Sequence, residues 1–216
     1  MDTTVTNTVE LFFSQYRLRK YSKGQILILN GDDTDFVYYL TSGRVKQYDI
    51  TYRGDEIILN VFKPPAFFPM SLAINKTSNL YTFEAETDVE LRQAPADDVV
   101  QFLKNSPEVT FDLLSRVYRG LDGLLGRMTY LMSGSAKGRL MYEILIACRR
   151  FGKQTTGGSC IIEMNETDLA ARAGLTRETV SREMKKLIDD NLVALQHGKV
   201  TVKNIPQFEE KLGKVI

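Results

Sequence analysis

The sequence has few of the residues from which metal centres and disulfide frameworks are built. Its 216 residues include one histidine, His197, two cysteines, Cys148 and Cys160, and no tryptophan. The cysteines lie outside any C-x-x-C arrangement, and one pair in a chain of this length does not predict a secreted disulfide scaffold. One histidine is too few for most histidine-based metal sites. We therefore expect no bound metal, no cofactor and no catalytic residues.

Long apolar runs and an excess of charge of one sign are also absent. No apolar run reaches the roughly 18 residues that cross a bilayer, and the first residues do not resemble a signal peptide. We therefore expect a cytoplasmic protein with no membrane partner. The 28 lysines and arginines against 27 acidic residues leave a formal net charge of +1, which excludes binding to nucleic acid through overall charge alone.

The charge is unevenly distributed along the chain. Residues 134–216 contain 14 lysines and arginines and 10 acidic residues, a net charge of +4, whereas residues 1–133 carry a net charge of −3. A basic partner-binding surface is therefore predicted in the C-terminal part of the chain.

The pattern of apolar residues changes once, near Pro95. Before it, from Gln25 to Leu91, short apolar or alternating runs are separated by turn residues, which predicts an antiparallel sandwich or barrel. After it the spacing becomes helical, with a short helix from Asp97 to about Lys104 and a long helix over residues 107–133. The sequence thus predicts an α+β protein.

An apolar stripe runs along the predicted long helix, in alternating steps of three and four residues that match heptad a and d positions. Its members are Leu114, Val117, Leu121, Leu124, Met128 and Leu131. Such a stripe packs against its own domain or against a partner helix. Because Leu113 and Leu125 supply a second apolar face for the strand domain, we expect the stripe to form the interface of a homodimer.

Three glycines, Gly120, Gly123 and Gly126, interrupt this helix, and each costs roughly 1 kcal/mol relative to alanine. The helix is therefore predicted to be adjustable, so that an effector could order it. The alternatives are a rigid-body hinge at residues 133–135 and a protein that binds its target constitutively.

The segment from Asn165 to Ile188 has the pattern of two short helices joined by a tight turn. Asn165 is a candidate N-cap of the first helix, and Gly174 suits a C-terminal position with positive φ. Thr176 then caps the second helix, over residues 177–188. Two helices joined in this way form a helix-turn-helix, whose second helix lies in the DNA major groove.

The second helix is predicted to bury an apolar side and to expose a polar one. The buried side would contain Val180, Met184, Leu187 and Ile188. The exposed side would contain Arg177, Glu178, Ser181 and Arg182. Arginine donates two hydrogen bonds to guanine, and glutamate accepts one from cytosine N4. Residues 192–202 then predict a hairpin, or wing.

With these residues, the sequence resembles the CRP/FNR family of bacterial transcription regulators. The resemblance is closest over residues 174–182, Gly-Leu-Thr-Arg-Glu-Thr-Val-Ser-Arg, and includes residues 39–45 and 53–56. It implies a jelly-roll-like antiparallel β-roll of the cyclic-nucleotide-binding type, a long dimerisation helix and a C-terminal winged helix-turn-helix. The corresponding domain boundaries are residues 1–106, 107–133 and 134–216.

The resemblance also implies roles for single residues. Contacts to DNA bases fall on Arg177, Glu178, Ser181 and Arg182. Contacts to phosphates fall on Thr167, Thr176, Thr179 and Lys199. Other roles stay open, because Thr167 and Thr176 could serve only as helix caps. Lys199 could be a solvated wing residue, and Glu178 could pair with Arg182 at i+4.

The predicted sensor departs from the cyclic-nucleotide receptors of this family. Those receptors carry a Gly-Glu pair and then an Arg-Ser pair around the phosphate and ribose, where this chain has Pro69-Met70 and Leu80-Tyr81. The polar pair that reaches the base in such receptors falls at Leu124-Leu125 here. No cysteine precedes Cys148, so the ligands of an FNR-type iron–sulfur centre are missing. The sensor also lacks the histidine or cysteine of haem-binding members.

The sensor could instead enclose an apolar effector pocket, with a filled core as the alternative. The residues that would line the pocket are Phe67, Phe68, Met70, Ser71, Tyr81 and Phe83. We expect a homodimeric, sequence-specific transcription regulator controlled by an unknown small molecule that is not a cyclic nucleotide. Its expected partners are a palindromic DNA site with TGA-containing half-sites and RNA polymerase.

The sequence leaves three alternatives to this function. A constitutive regulator with a vestigial sensor is the nearest alternative. A β-roll enzyme would need two or three histidines, or histidines with a carboxylate, inside the barrel, and the one histidine lies on the wing. An interaction module that does not bind DNA would not be expected to keep two arginines, a glutamate and a serine in register on the exposed face.

Overall fold

The structure is a computed structural model that describes residues 3–32, 35–155 and 157–213. The chain forms two compact units, Met1–Gly120 and Leu121–Ile216. The boundary between them falls inside the long helix α4 (Pro107–Ser133), whose bounds agree with the sequence prediction. The distal half of this helix therefore belongs to the C-terminal unit.

The N-terminal unit contains two antiparallel sheets, ordered β1-β8-β3-β6 and β2-β7-β4-β5. The strands are β1 (Leu18–Tyr21), β2 (Ile26–Ile28), β3 (Phe36–Ser42), β4 (Val45–Ile50), β5 (Glu56–Phe62), β6 (Ala66–Phe68), β7 (Thr82–Ala85) and β8 (Val89–Pro95). The helices of this unit besides α4 are α1 (Thr3–Ser14), α2 (Met70–Asn75) and α3 (Ala96–Asn105).

Two apolar clusters hold these layers together, because side chains alternate between the two faces of each strand. On β6, Phe68 points between the two sheets, where it packs with Leu40 and Leu91. Its neighbour Phe67 points to the other face, where α1, α3 and the start of α4 cover the sheet, and packs with Phe13. The sandwich predicted from the strand pattern is thus confirmed.

The first half of α4 is anchored to the strand unit by Arg116. Its guanidinium donates a hydrogen bond to the carbonyl of Pro65 at 3.0 Å and lies 5.3 Å from the centre of the Phe67 ring. Leu113 packs against the same cluster, as predicted for the second apolar face. Leu125, predicted to share that face, is 52% exposed. That prediction was wrong, because Leu125 lies beyond the end of the strand unit at Gly120.

The C-terminal unit is built around α5 (Ala136–Phe151), which lies at the centre of its apolar core. The other elements are β9 (Lys153–Gln154), β10 (Cys160–Glu163), α6 (Glu166–Ala173), α7 (Arg177–Asp189), β11 (Val193–Gln196), β12 (Lys199–Val202) and α8 (Ile205–Leu212). The strands form an antiparallel sheet ordered β11-β12-β10-β9. Cys148 and Cys160 are buried as free thiols.

The distal half of α4 is bound to α5 by polar contacts. The Arg127 guanidinium pairs with the buried carboxylate of Glu143, with distances of 2.5 Å from Nε to Oε1 and 2.9 Å from Nη2 to Oε2. Burial raises the pKa of Glu143, and Arg127 opposes that shift. The Tyr142 hydroxyl donates to the carbonyl of Gly123 at 3.1 Å, and the Tyr142 ring stacks on Tyr130.

At the hinge suggested for residues 133–135, Gly134 lies close to the backbone of the last turns of α4. A Cβ on Gly134 would lie 1.9 Å from the carbonyl oxygen of Tyr130, so this position needs glycine for close approach. The Ser135 hydroxyl accepts a hydrogen bond from the backbone N–H of Gly138 and caps α5. The fold as a whole is α+β, with an antiparallel β-roll, a long helix and a C-terminal winged helix-turn-helix.

We expect Gly126→Ala to destabilise the C-terminal unit by about 1–3 kcal/mol, as overpacking of a filled site does. A Cβ at this position would lie 2.2 Å from the Tyr142 hydroxyl, and Tyr142 is held by its bond to Gly123 and by its stacking on Tyr130. Urea unfolding followed by circular dichroism measures the change.

Gly123→Ala is the matched control for this substitution. No atom lies within 4 Å of a Cβ at Gly123, so the alanine should stabilise the helix by up to about 1 kcal/mol. A Gly126→Ala protein that unfolds at the same urea concentration as Gly123→Ala, or at a higher one, would contradict the packing described.

Candidate nucleic-acid interface

The helices α6 and α7 are joined by a turn whose geometry depends on local capping. A capping box begins α6: the Asp168 N–H donates to Asn165 Oδ1 at 2.9 Å, and the Asn165 N–H donates to Asp168 Oδ2 at 3.1 Å. Gly174 ends the helix with φ of 59°. Two residues later the Thr176 hydroxyl accepts from the N–H of Thr179 and caps α7.

Arg139 of α5 holds this turn from behind. Its Nε and Nη2 donate to the carbonyl of Ala173 at 3.1 and 2.7 Å, and Nη2 also donates to the carbonyl of Gly174. These are carbonyls at the end of α6 that have no partner within the helix. Arg139 could not be predicted from the sequence, because only the fold brings α5 to this turn.

The N-terminal part of α7 presents a polar face to solvent. Arg177, Glu178, Ser181 and Arg182, the four predicted base-contacting residues, are exposed. Val180, Met184 and Leu187 are buried, as predicted. Ile188, predicted to be buried with them, is 41% exposed. Glu183 is buried instead. The sequence did not predict this, because charged residues usually lie at the surface.

The three charged residues of this polar face have carboxylate or hydroxyl partners within the domain. Arg177 Nε lies 3.9 Å from Glu166 Oε2, and Arg182 Nε lies 3.6 Å from Glu183 Oε1. The pKa of Glu178 is lowered by a hydrogen bond from its own backbone N–H and by the Thr176 hydroxyl. Glu178 is therefore held as a carboxylate, the form that accepts a hydrogen bond from cytosine N4.

Three of the four predicted phosphate-contacting residues are exposed at the surface. Thr167 is exposed on α6, which is capped by Asn165. Thr176 is exposed and does cap α7, whereas Thr179 is half-buried. Lys199 is exposed on the wing hairpin β11–β12, where its ammonium group lies 2.8 Å from Glu163 Oε1. The wing turns at His197 and Gly198, both with positive φ.

The predicted pocket residues of the β-roll do not surround one space. Phe68 and Phe83 stack on each other and on Phe62 between the sheets, with ring centres 4.7–6.1 Å apart. Tyr81 packs against this cluster, whereas Phe67 and Met70 belong to the cluster under the helices. Ser71 lies exposed on α2. The stacked rings of Phe62, Phe68 and Phe83 lie between the two sheets.

Among residues 3–32, 35–155 and 157–213, no group of three or more histidine, cysteine or acidic side chains is placed to hold a metal ion. Within the same ranges, none of the helices combines the length and the apolar character needed to cross a membrane.

Two protein-family models match the chain. A model of the cyclic nucleotide-binding domain matches residues 18–106, and a model of the Crp-like helix-turn-helix domain matches residues 138–211. The two matches together span about three quarters of the chain and coincide with the β-roll and with the elements from α5 to α8.

Curated relatives and solved structures agree with these matches. The chain is 29% identical to a global nitrogen regulator of Nostoc sp., with 84% of this chain and 83% of that protein covered. It is 26% identical to a cyclic AMP receptor protein of Thermus thermophilus, with 94% and 91% covered. The structure of the c-di-GMP responsive global regulator CLP of Xanthomonas campestris has the same fold, with a TM-score of 0.80, 18% identity and coverage of 91% and 98%. The domain pair, the relatives and the fold together establish that this chain belongs to the CRP/FNR family of transcription regulators.

Proposed function

We propose that the protein acts as a homodimer that recognises a palindromic DNA site through α7. The observation that carries the proposal is the set of four exposed residues, Arg177, Glu178, Ser181 and Arg182, on the N-terminal part of this helix. In a helix-turn-helix this part of the second helix meets the base edges. Arginine and glutamate can together recognise the guanine and the cytosine of one base pair.

In this proposal the contacts to phosphates come from Thr167, Thr176, Thr179 and Lys199. Such contacts orient the protein on the duplex but carry no direct sequence information. Contact with RNA polymerase is carried over from the family as part of the proposal.

The apolar stripe of α4 supports the homodimer. Its six members, Leu114, Val117, Leu121, Leu124, Met128 and Leu131, are each 44–58% exposed in the single chain. A further row of exposed apolar residues repeats along α4 at intervals of seven residues: Phe111, Tyr118, Leu125 and Met132. Exposed apolar residues repeated at heptad positions a, d and e suit the packing of a second helix. We propose that this helix is α4 of a second copy.

The β-roll is proposed not to bind cyclic nucleotides. Leu80 and Tyr81 replace the Arg-Ser pair of the receptors, so a bound phosphate would lose its solvation without an opposing cation. The stacked rings of Phe62, Phe68 and Phe83 also occupy the interior. This aromatic stack between the sheets favours a second candidate function, a regulator that binds DNA without a ligand inside its β-roll.

Base recognition predicts a difference between two alanine variants. Arg182→Ala should weaken binding to the selected site by about 1–3 kcal/mol and remove the preference at one G·C pair. Lys199→Ala should weaken binding to all DNA sequences by the same factor. Selection from random DNA, followed by binding titrations, measures both effects. The wild-type protein should select two-fold symmetric half-sites about one helical turn apart that contain TGA. Selection of no symmetric site would contradict the proposed function.

The homodimer predicts that Leu121→Glu combined with Met128→Glu gives monomers that bind the full site poorly, because like charges would face each other across the helix pair. Both residues are exposed in the single chain, so the variant keeps its own fold. Light scattering measures the mass in solution. Thr129→Glu, an exposed position b on the same helix, is the control and should remain dimeric. A dimer that survives the double substitution would refute this interface.

For the β-roll, titration calorimetry with millimolar cyclic AMP and cyclic GMP should show no binding. Mass spectrometry of small molecules released from the native protein distinguishes the two candidate functions. A released compound would support an effector, whereas DNA binding by protein that releases none would support the constitutive regulator. Saturable heat with either cyclic nucleotide would contradict the argument from Leu80, Tyr81 and the aromatic stack.

A further inference from the structure

A carboxylate lies buried on the inner side of the helix that is proposed to read DNA. Glu183 is 6% exposed, and it shares the inner side of α7 with Val180, Met184 and Leu187. Burying a carboxylate is costly, and an apolar residue of similar size at such a place is often neutral or stabilising. Packing alone therefore gives no reason for glutamate at this position.

The carboxylate of Glu183 is held between two cations of the same helix. Lys186 Nζ donates to both of its oxygens, at 2.8 and 3.0 Å. On the other side, Arg182 Nε lies 3.6 Å from Glu183 Oε1. The Arg182 side chain is 66% exposed, and this ion pair draws it toward Glu183. Glu178, an i+4 candidate for pairing with Arg182, is held by its own backbone and Thr176 instead.

We infer that Glu183 is a positioning residue for Arg182 and sets how strictly the protein requires guanine at one base pair. This inference rests on the proposed function, in which Arg182 contacts a base. Glu183 Oε1 lies 3.6 Å from Arg182 Nε, which is an ion-pair distance longer than a hydrogen bond. The attraction biases the guanidinium toward this side and leaves the two terminal nitrogens for the O6 and N7 atoms of guanine. An arginine that is restrained before binding loses less conformational freedom when it meets the base.

A positioning role for Glu183 predicts a different experimental result from a role in stability alone. Replacing Glu183 by glutamine removes one negative charge from a DNA-binding domain, which should maintain or increase binding to any sequence. The same change should loosen Arg182 and weaken discrimination at a single base pair. A purely structural defect would instead lower affinity for all sequences together.

The experiment compares binding of the full-length protein to its selected site and to the same site with one base pair replaced. Arg182→Ala first identifies the pair at which preference depends on Arg182. For Glu183→Gln, we expect the preference at that pair to fall about three- to tenfold, the range set by ordering one long side chain. Affinity for unrelated DNA should stay the same or rise. In the Arg182→Ala background, Glu183→Gln should have no further effect at that pair.

Two controls complete the test. Asp189→Asn removes one negative charge from the exposed end of the same helix and should leave the preference at that pair unchanged. Lys186→Met removes the other partner of Glu183 and should also preserve it, because the carboxylate still faces Arg182.

Four outcomes would overturn the inference while leaving the proposed function in place. The first is that Glu183→Gln leaves the base-pair preference unchanged, and the second is that it lowers the preference equally at every base pair. The third is that Lys186→Met lowers the preference as much as Glu183→Gln does. The fourth is that Glu183→Gln still lowers the preference in the Arg182→Ala background. A wild-type protein that selects no DNA sequence would overturn the proposed function, and this inference with it.

Discussion

The exposed face of α7 depends on how the backbone groups of the α6–α7 turn are satisfied. The last carbonyls of a helix and the first N–H groups of the next have no partners within their own helices. Arg139 binds the carbonyls of Ala173 and Gly174, and the Thr176 hydroxyl accepts from the first turn of α7. Because Gly174 takes a left-handed conformation, the chain reverses within two residues. The polar side of the first two turns of α7 then faces solvent.

Buried charge is the second feature that organises the C-terminal unit. Glu143 lies inside the unit and is matched by Arg127 from α4, a pairing that ties the distal half of the long helix to α5. This half of α4 carries Leu121, Leu124 and Met128, so the proposed dimer seam and the DNA-binding helices share one compact unit.

The β-roll contains an aromatic stack between its two sheets. The matched cyclic nucleotide-binding model covers residues 18–106, yet the space between the sheets is occupied by the rings of Phe62, Phe68 and Phe83. Strand pairing depends on backbone hydrogen bonds and on alternation, which these side chains satisfy as well as smaller ones do. Binding of a cyclic nucleotide depends on particular polar residues, which the pairing of the strands does not require.

The sequence by itself determined the order of the elements and the exposed polar residues of α7. The bounds of α4 and the caps at Asn165, Gly174 and Thr176 follow from local patterns, because helix periodicity and capping act over a few residues. Local patterns also placed Arg177 and Arg182 on the exposed side of α7. Only the tertiary structure decided which residues are brought together across elements: Arg139 at the α6–α7 turn, Arg127 against Glu143, and the aromatic rings inside the β-roll. It also overturned the expected burial of Leu125 and Ile188 and revealed that of Glu183, since burial depends on neighbours that are distant in the chain.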